Sequence, residues 1–139
     1  MAEFCSKWEL ISTDENFGKY MEAVGVSQEK QGLAKKSLVG DAKVYQEISR
    51  DGTTWSVKVI TVAGEKLDMY TEGQETETLT LDGRRVKVVY SLEGDKLVES
   101  QTGDGFTSRN VRQISGDQMT MTFTANGSVT SIRVYKKVS

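Results

Sequence analysis

The sequence predicts an all-β fold, an up-and-down antiparallel β-barrel of ten strands with a helix-turn-helix lid between the first strand and the second. Three observations favour this fold. Apolar and polar residues alternate from Lys43 onward, which is typical of strands with one buried face. Glycine beside Asp, Asn, Glu or Ala interrupts this pattern at the spacing of roughly 8–12 residues expected of a sandwich or barrel. Proline is absent, and closing such a meander into a barrel would remove its exposed edges.

The chain is expected to begin with a strand followed by a helix. Trp8 and Leu10 would share one face of the strand, and Trp8 is interpreted as structural. Residues 17–24 have helical apolar spacing, Asp14 offers an N-cap and Gly25 offers an end. These features predict the first helix.

A second, thinner helix is expected at about residues 27–38, with Gly32 weakening it. Lys30, Lys35 and Lys36 lie on this helix. They can be interpreted as a solvated face or, alternatively, as a transient contact with anionic membranes.

Nine further strands are predicted after the helices. Short turns with glycine, aspartate or asparagine separate them, because these residues supply the positive φ that tight hairpins need. The predicted strands are 43–50, 54–62, 66–71, 75–81, 85–93, 96–102, 106–114, 118–125 and 128–137.

Composition narrows the possible functions. The 139 residues fit a single domain, residues 1–139, and a net charge of −2 gives no argument for a nucleic-acid partner. No stretch approaches the roughly 18 apolar residues of a membrane span, and the first residues lack the pattern of a signal peptide. The single cysteine fits a reducing compartment, and the absence of histidine removes most zinc and triad chemistry. We therefore expect a cytoplasmic monomer without a metal, a cofactor or a catalytic step.

The strongest candidate site is a group of three polar residues near the C-terminus. By strand parity Arg133 and Tyr135 share one face, and Arg112 lies in an earlier strand. For an arbitrary strand, outward-facing charges would be the more common outcome. If the three point into a closed barrel, however, two guanidiniums and a phenol meet in an enclosed space that favours an anion.

Two apolar groups could line such a space or form a solid core. Met119, Met121 and Phe123 alternate with threonines along one predicted strand, and flexible Met suits ligands of varied shape. The underside of the first helix carries a second group, formed by Phe17, Tyr20 and Met21. The pattern alone does not decide between cavity wall and core.

Several segments together resemble the intracellular lipid-binding proteins, which include the fatty-acid-binding and cellular retinoid-binding proteins. The resemblance covers residues 1–26 and 52–139 almost without gaps. The matching segments are Phe4 with Trp8-Glu-Leu10, the run from Asn16 to Val26, Gly73-Gln-Glu75, Thr80, the run from Asp82 to Lys87, Lys96-Leu97-Val98 with Gln101, Val111-Arg112, and Arg133-Val-Tyr135.

This resemblance implies a barrel that carries a long-chain fatty acid or a similar hydrophobic carboxylate through the cytosol. It implies that Arg112, Arg133 and Tyr135 hold the carboxylate and that Phe17 lies near the portal. The chain departs from the family in a longer segment at residues 27–43 and in Ala63, where a bulky portal aromatic is common. These departures affect ligand shape and entry.

Three alternatives remain at this point. The same barrel could bind a retinoid or a tetrapyrrole chromophore. An isomerase could use Tyr135 as an acid in the cavity, although no second titratable partner is evident. A secreted lipocalin-type carrier is disfavoured by the lone cysteine and the helical lid.

The sequence also carries an expectation about stability. No protein carboxylate is evident beside the two arginines, so their mutual repulsion should strain the empty barrel. Arg112→Leu is then expected to leave the fold intact.

Overall fold

The computed structural model describes residues 4–27, 29, 43–61, 64–79 and 84–138. Most of the predicted second helix, with Lys30, Lys35 and Lys36, lies outside these residues, as does Ala63. The described elements are β1 (Lys7–Thr13), α1 (Phe17–Ala23), β2 (Tyr45–Asp51), β3 (Thr54–Thr61), β4 (Gly64–Thr71), β5 (Thr76–Leu79), β6 (Arg85–Glu93), β7 (Lys96–Gly103), β8 (Phe106–Ser115), β9 (Gln118–Ala125) and β10 (Val129–Lys137).

The ten strands form one antiparallel sheet in the order β4-β3-β2-β1-β10-β9-β8-β7-β6-β5. Strands that follow one another in the chain pair with each other, except β4 and β5, and β10 pairs with β1, which curls the sheet into a nearly closed barrel. The predicted ten-stranded barrel is confirmed. None of the described helices is long and apolar enough to cross a membrane.

The sheet keeps two edges that the sequence did not predict. Within the described residues no ladder joins β4 and β5. The connection between them is held to β6 instead, because Gly73 N donates to the carbonyl of Tyr90 at 2.8 Å. Side chains bridge the gap, where Thr78 Oγ1 donates to Asp68 Oδ1 at 2.9 Å.

The start of α1 differs from the prediction, because Asp14 is not its N-cap. Asn16 occupies that position, and its side chain makes no capping bond. Asp14 lies on the turn before the helix and accepts hydrogen bonds from Ser131 Oγ at 2.8 Å and Ile132 N at 2.9 Å. Its carboxylate therefore fastens the beginning of α1 to β10.

The barrel interior divides into a packed part and a polar part. Trp8 and Trp55 are fully buried, the Trp8 indole donates to the carbonyl of Phe4, and Phe4 meets Trp55 edge to face at 6.1 Å. This contact supports the interpretation of Trp8 as structural. Elsewhere, among the residues that the structure describes, seven polar or charged side chains are buried, which indicates a cavity: Gln46, Glu99, Ser108, Asn110, Arg112, Ser131 and Arg133.

Candidate ligand cavity

An internal cavity of about 230 Å³ lies between α1 and the strands. Valines of β3 and the underside of α1 supply part of the apolar lining, and side chains from β7, β8 and β10 supply part of the polar lining. Most of the side chains that the sequence analysis proposed for the site line it: Phe17, Tyr20, Met21, Arg112, Met121, Phe123, Arg133 and Tyr135. Met119 is the exception, since it is fully buried in the core and is not part of the cavity wall.

Strand register places the two arginines in one row across the barrel wall. Met121 of β9 pairs with Arg112 of β8 on one side and with Arg133 of β10 on the other. Both guanidiniums are inside, since the residues are only 3% and 5% exposed. Tyr135 follows Arg133 on the same face of β10 and is also buried. The inward orientation inferred from strand parity is correct.

Arg112 is already engaged by protein groups. Its Nη1 donates to Glu99 Oε1 at 3.0 Å, and its Nε and Nη2 donate to Gln46 Oε1 at 3.3 and 3.2 Å. Its guanidinium also lies 5.8 Å from the ring centre of Tyr90. Burial would lower the pKa of Arg112, but Tyr90 and Glu99 outweigh burial and raise it. The side chain therefore remains a cation.

Glu99 is a buried residue of the cavity wall that sequence reasoning missed. It is 7% exposed, and besides Arg112 it accepts hydrogen bonds from the Tyr90 hydroxyl at 2.9 Å and from Gln101 Nε2. The expectation that no protein carboxylate accompanies the arginines is wrong. Burial raises the pKa of Tyr90 well above its ordinary value, so its hydroxyl remains a donor to this carboxylate.

The position of Glu99 relative to Arg112 can be predicted by counting residues along β7 and β8 from the turn between them. The Asp104-Gly105 turn leaves Gly103 opposite Phe106, and each step back along β7 is matched by a step forward along β8. Glu99 then falls opposite Asn110, one row from Arg112 and on the same face. Strand parity and hairpin register together are therefore sufficient to predict the contact between Glu99 and Arg112.

Arg133 sits beneath the helix. Its Nε donates to Thr13 Oγ1 at 3.3 Å, and its guanidinium lies 4.8 Å from the ring centre of Phe17 and 5.9 Å from that of Tyr135. Cation–π contacts of this kind are attractive and strengthen where water is excluded. Phe17 thus links α1 to the cationic part of the cavity.

Tyr20 joins α1 to β8 through a second polar group. Its hydroxyl lies 2.6 Å from Ser108 Oγ and donates weakly to Asn110 Oδ1 at 3.4 Å, and Ser108 donates to the same oxygen at 2.8 Å. Its ring meets Phe123 edge to face at 5.2 Å. Burial raises the pKa of Tyr20 to about 12. The underside of the helix is therefore both cavity wall and structural contact.

Polar groups at the β4–β5 gap also line the cavity and were not anticipated. Lys66 contacts the carboxylate of Asp68, which accepts the hydrogen bond from Thr78 across the gap. Near the end of α1, Arg84 donates to the carbonyl of Val24 and lies over the ring of Phe106 at 5.1 Å.

The chain is similar to known proteins over nearly its whole length. The sequence pattern of the lipocalin / cytosolic fatty-acid binding protein family matches residues 1–139. The sodium/calcium exchanger regulatory protein 1 of Doryteuthis pealeii is 34% identical over 139 residues, which covers 99% of this chain and 98% of that protein.

Solved structures of related proteins are also similar to this chain. A Schistosoma mansoni fatty acid binding protein in complex with arachidonic acid is 29% identical with a TM-score of 0.90, covering 100% of this chain and 98% of the other. The fluorescent protein UnaG is also 29% identical, with a TM-score of 0.84, covering 99% of this chain and 100% of the other.

Proposed function

The chain belongs to the lipocalin / cytosolic fatty-acid binding protein family, and on that premise we propose that it carries a long-chain fatty acid or a similar hydrophobic carboxylate in its cavity. The observation that supports this most directly is the row of Arg112 and Arg133, with Tyr135 beside it, inside a cavity whose wall also carries apolar side chains from α1, β3 and β9. A buried cation gains most from an anionic partner in such a space. A Schistosoma mansoni relative of similar structure is known in complex with arachidonic acid.

The two parts of the ligand have different roles in this proposal. Burial of the acyl chain supplies most of the affinity, at about 0.8 kcal/mol for each buried CH₂ group. The carboxylate is oriented by charge-assisted hydrogen bonds, which are strong in a site that excludes water. Binding and release require no covalent step, so the protein acts as an intracellular carrier and not as an enzyme.

Native mass spectrometry of gently purified protein tests the ligand class, because it reports the ligand's mass and its stoichiometry together. The expected result is one bound fatty acid per chain. Competition between hexadecanoic acid and its methyl ester then isolates the head group, because the ester keeps the chain but loses the charge. Equal affinity for acid and ester would contradict the proposal.

A bound chromophore is the second candidate, favoured by the similarity to the fluorescent protein UnaG. Stacked Tyr70 and Tyr90 rings, 4.5 Å between centres, line the cavity and could face a conjugated ligand. A coloured native complex with the mass of a retinoid or tetrapyrrole would favour this candidate over a fatty acid.

A further inference from the structure

The carboxylate of Glu99 lies directly beside the Arg112 guanidinium in the cavity wall. Glu99 and Arg112 are both buried, they touch through Nη1 and Oε1 at 3.0 Å, and both line the cavity. A carboxylate that approached Arg112 would therefore also approach Glu99. In a low-dielectric space two like charges at such short range repel strongly.

The surroundings hold Glu99 in this position. The Tyr90 hydroxyl donates to the same oxygen that meets Arg112, and Gln101 donates to the other oxygen. On the other side of the guanidinium, Gln46 Oε1 accepts hydrogen bonds from Nε and Nη2 of Arg112. Because both members of the pair have several partners, rotating Glu99 aside for an incoming anion would break several hydrogen bonds at once.

Resting on the fatty-acid function proposed above, we propose that Glu99 is a specificity-determining residue of the cavity. It acts as the internal counter-ion of Arg112, directs the ligand carboxylate toward Arg133 and Tyr135, and limits the affinity of the cavity for anions. The cavity accordingly accepts one monocarboxylate and disfavours a second anionic group near Arg112. Arg112 then positions Glu99 and the polar network more than it binds the ligand directly.

The test compares hexadecanoic acid with hexadecan-1-ol, which has the same chain and a neutral head group. Equilibrium binding of both is measured for the wild type, Glu99→Gln, and the double variant Glu99→Gln/Arg112→Gln. Glutamine keeps the shape of glutamate without its charge. Its oxygen can still accept from Arg112 and Tyr90, and its NH2 group would face Gln101, whose own amide can turn to present its oxygen. The double variant removes both charges and leaves two amides that can still hydrogen-bond, so it tests the proposal even if Glu99→Gln alone folds poorly.

We expect Glu99→Gln to bind the acid about tenfold more tightly than the wild type does. Its affinity for the alcohol should equal that of the wild type, because only the charged acid is repelled by the Glu99 carboxylate. The double variant should bind the acid within about threefold of the wild type, since the pair it removes has no net charge. A general structural defect would weaken acid and alcohol alike. The ratio of the two affinities is therefore the informative quantity.

Two results would overturn the role of Glu99. One is unchanged or weaker acid binding by Glu99→Gln with alcohol binding unchanged. The other is a loss of tenfold or more in acid binding by the double variant alone, which would make Arg112 a direct partner of the ligand. The carboxylate function is tested separately by Arg133→Gln, which should lose acid binding selectively. If it does, while Glu99→Gln shows no gain, the fatty-acid function stands and only the role of Glu99 fails.

Discussion

Arg112 Nη1 lies 3.0 Å from Glu99 Oε1 inside the barrel, and neither residue is more than 7% exposed. A pair of this kind contributes little as a whole, because each charge loses its hydration on burial. Removing one member is different, because it leaves the other charge buried without its partner. The sequence alone predicts that Arg112→Leu leaves the fold intact. Because of this pair, the structure predicts instead that the substitution destabilises the protein.

Arg112→Leu should destabilise the ligand-free protein by about 3–5 kcal/mol, the cost of breaking a buried ion pair on one side. Urea unfolding of the delipidated protein measures this. The matched control is Glu99→Leu/Arg112→Leu, which removes both charges and should recover most of the loss. A single variant as stable as the wild type would mean that Glu99 does not depend on Arg112.

Arg133→Gln should weaken binding of hexadecanoic acid by about 1.5–3 kcal/mol, the range for hydrogen bonds to charged groups. The methyl ester should lose less, because its head group carries no charge. Tyr135→Phe should also cost the acid about 1.5–3 kcal/mol, because its hydroxyl would donate to a charged carboxylate. Titration of all three proteins with acid and ester checks both values, and equal losses for acid and ester would count against a carboxylate site at β10.

Tyr20→Phe should change how stability depends on alkaline pH. The pKa of Tyr20 is about 12 in the folded protein, against about 10 in the unfolded chain. Below the unfolded value both states keep the proton, and between the two values only the folded state does. The unfolding free energy of the wild type should therefore fall as pH rises through this window.

The contribution of Tyr20 to this loss is about 2–3 kcal/mol. Denaturant unfolding of wild type and Tyr20→Phe, at a pH below 10 and at one near 12, isolates it because other tyrosines are common to both proteins. The difference in unfolding free energy between the wild type and Tyr20→Phe should shrink or change sign at the higher pH. A difference independent of pH would contradict the assignment.

Gly103→Ala should destabilise the barrel by about 1–3 kcal/mol, the usual cost of overpacking. A Cβ at this position would overlap the ring of Phe106, its cross-strand partner, and that ring is held under Arg84. The same substitution in a Phe106→Leu background should cost little, because the smaller side chain can yield. A double-mutant cycle by thermal or urea unfolding compares the two costs, and equal costs would exclude the steric explanation.

Local chemistry in the sequence was sufficient for most of the architecture. Turns such as Asp51-Gly52 and Asn126-Gly127 carry the positive φ that their tight hairpins need, and the predicted strands start and end within a few residues of the observed ones. Strict alternation along β8 and β10 then placed Arg112 and Arg133 on the inner face, because a strand has only two faces.

Features that depend on distant partners were not predictable in this way. Asp14 has the chemistry of an N-cap, but Ser131 and Ile132, more than a hundred residues later, provide better-placed donors. At the β4–β5 gap Gly73 bonds to Tyr90 of β6, a contact that no local pattern reveals. Glu99 is intermediate, since its contact with Arg112 follows from hairpin register once both strands are aligned.

The order of the sheet has a consequence for how the chain folds. Its two edges, β4 and β5, are neighbours in the sequence, whereas the first and last strands pair with each other in its interior, Trp8 opposite Lys137. The β1–β10 ladder thus joins the most distant segments, and contacts of this separation form slowly because a long loop must close first. A circular permutant with joined termini and new ends at residues 72–75 would keep every ladder while making the β1–β10 pairing local. The barrel geometry is therefore compatible with a faster folding route than the native chain order allows.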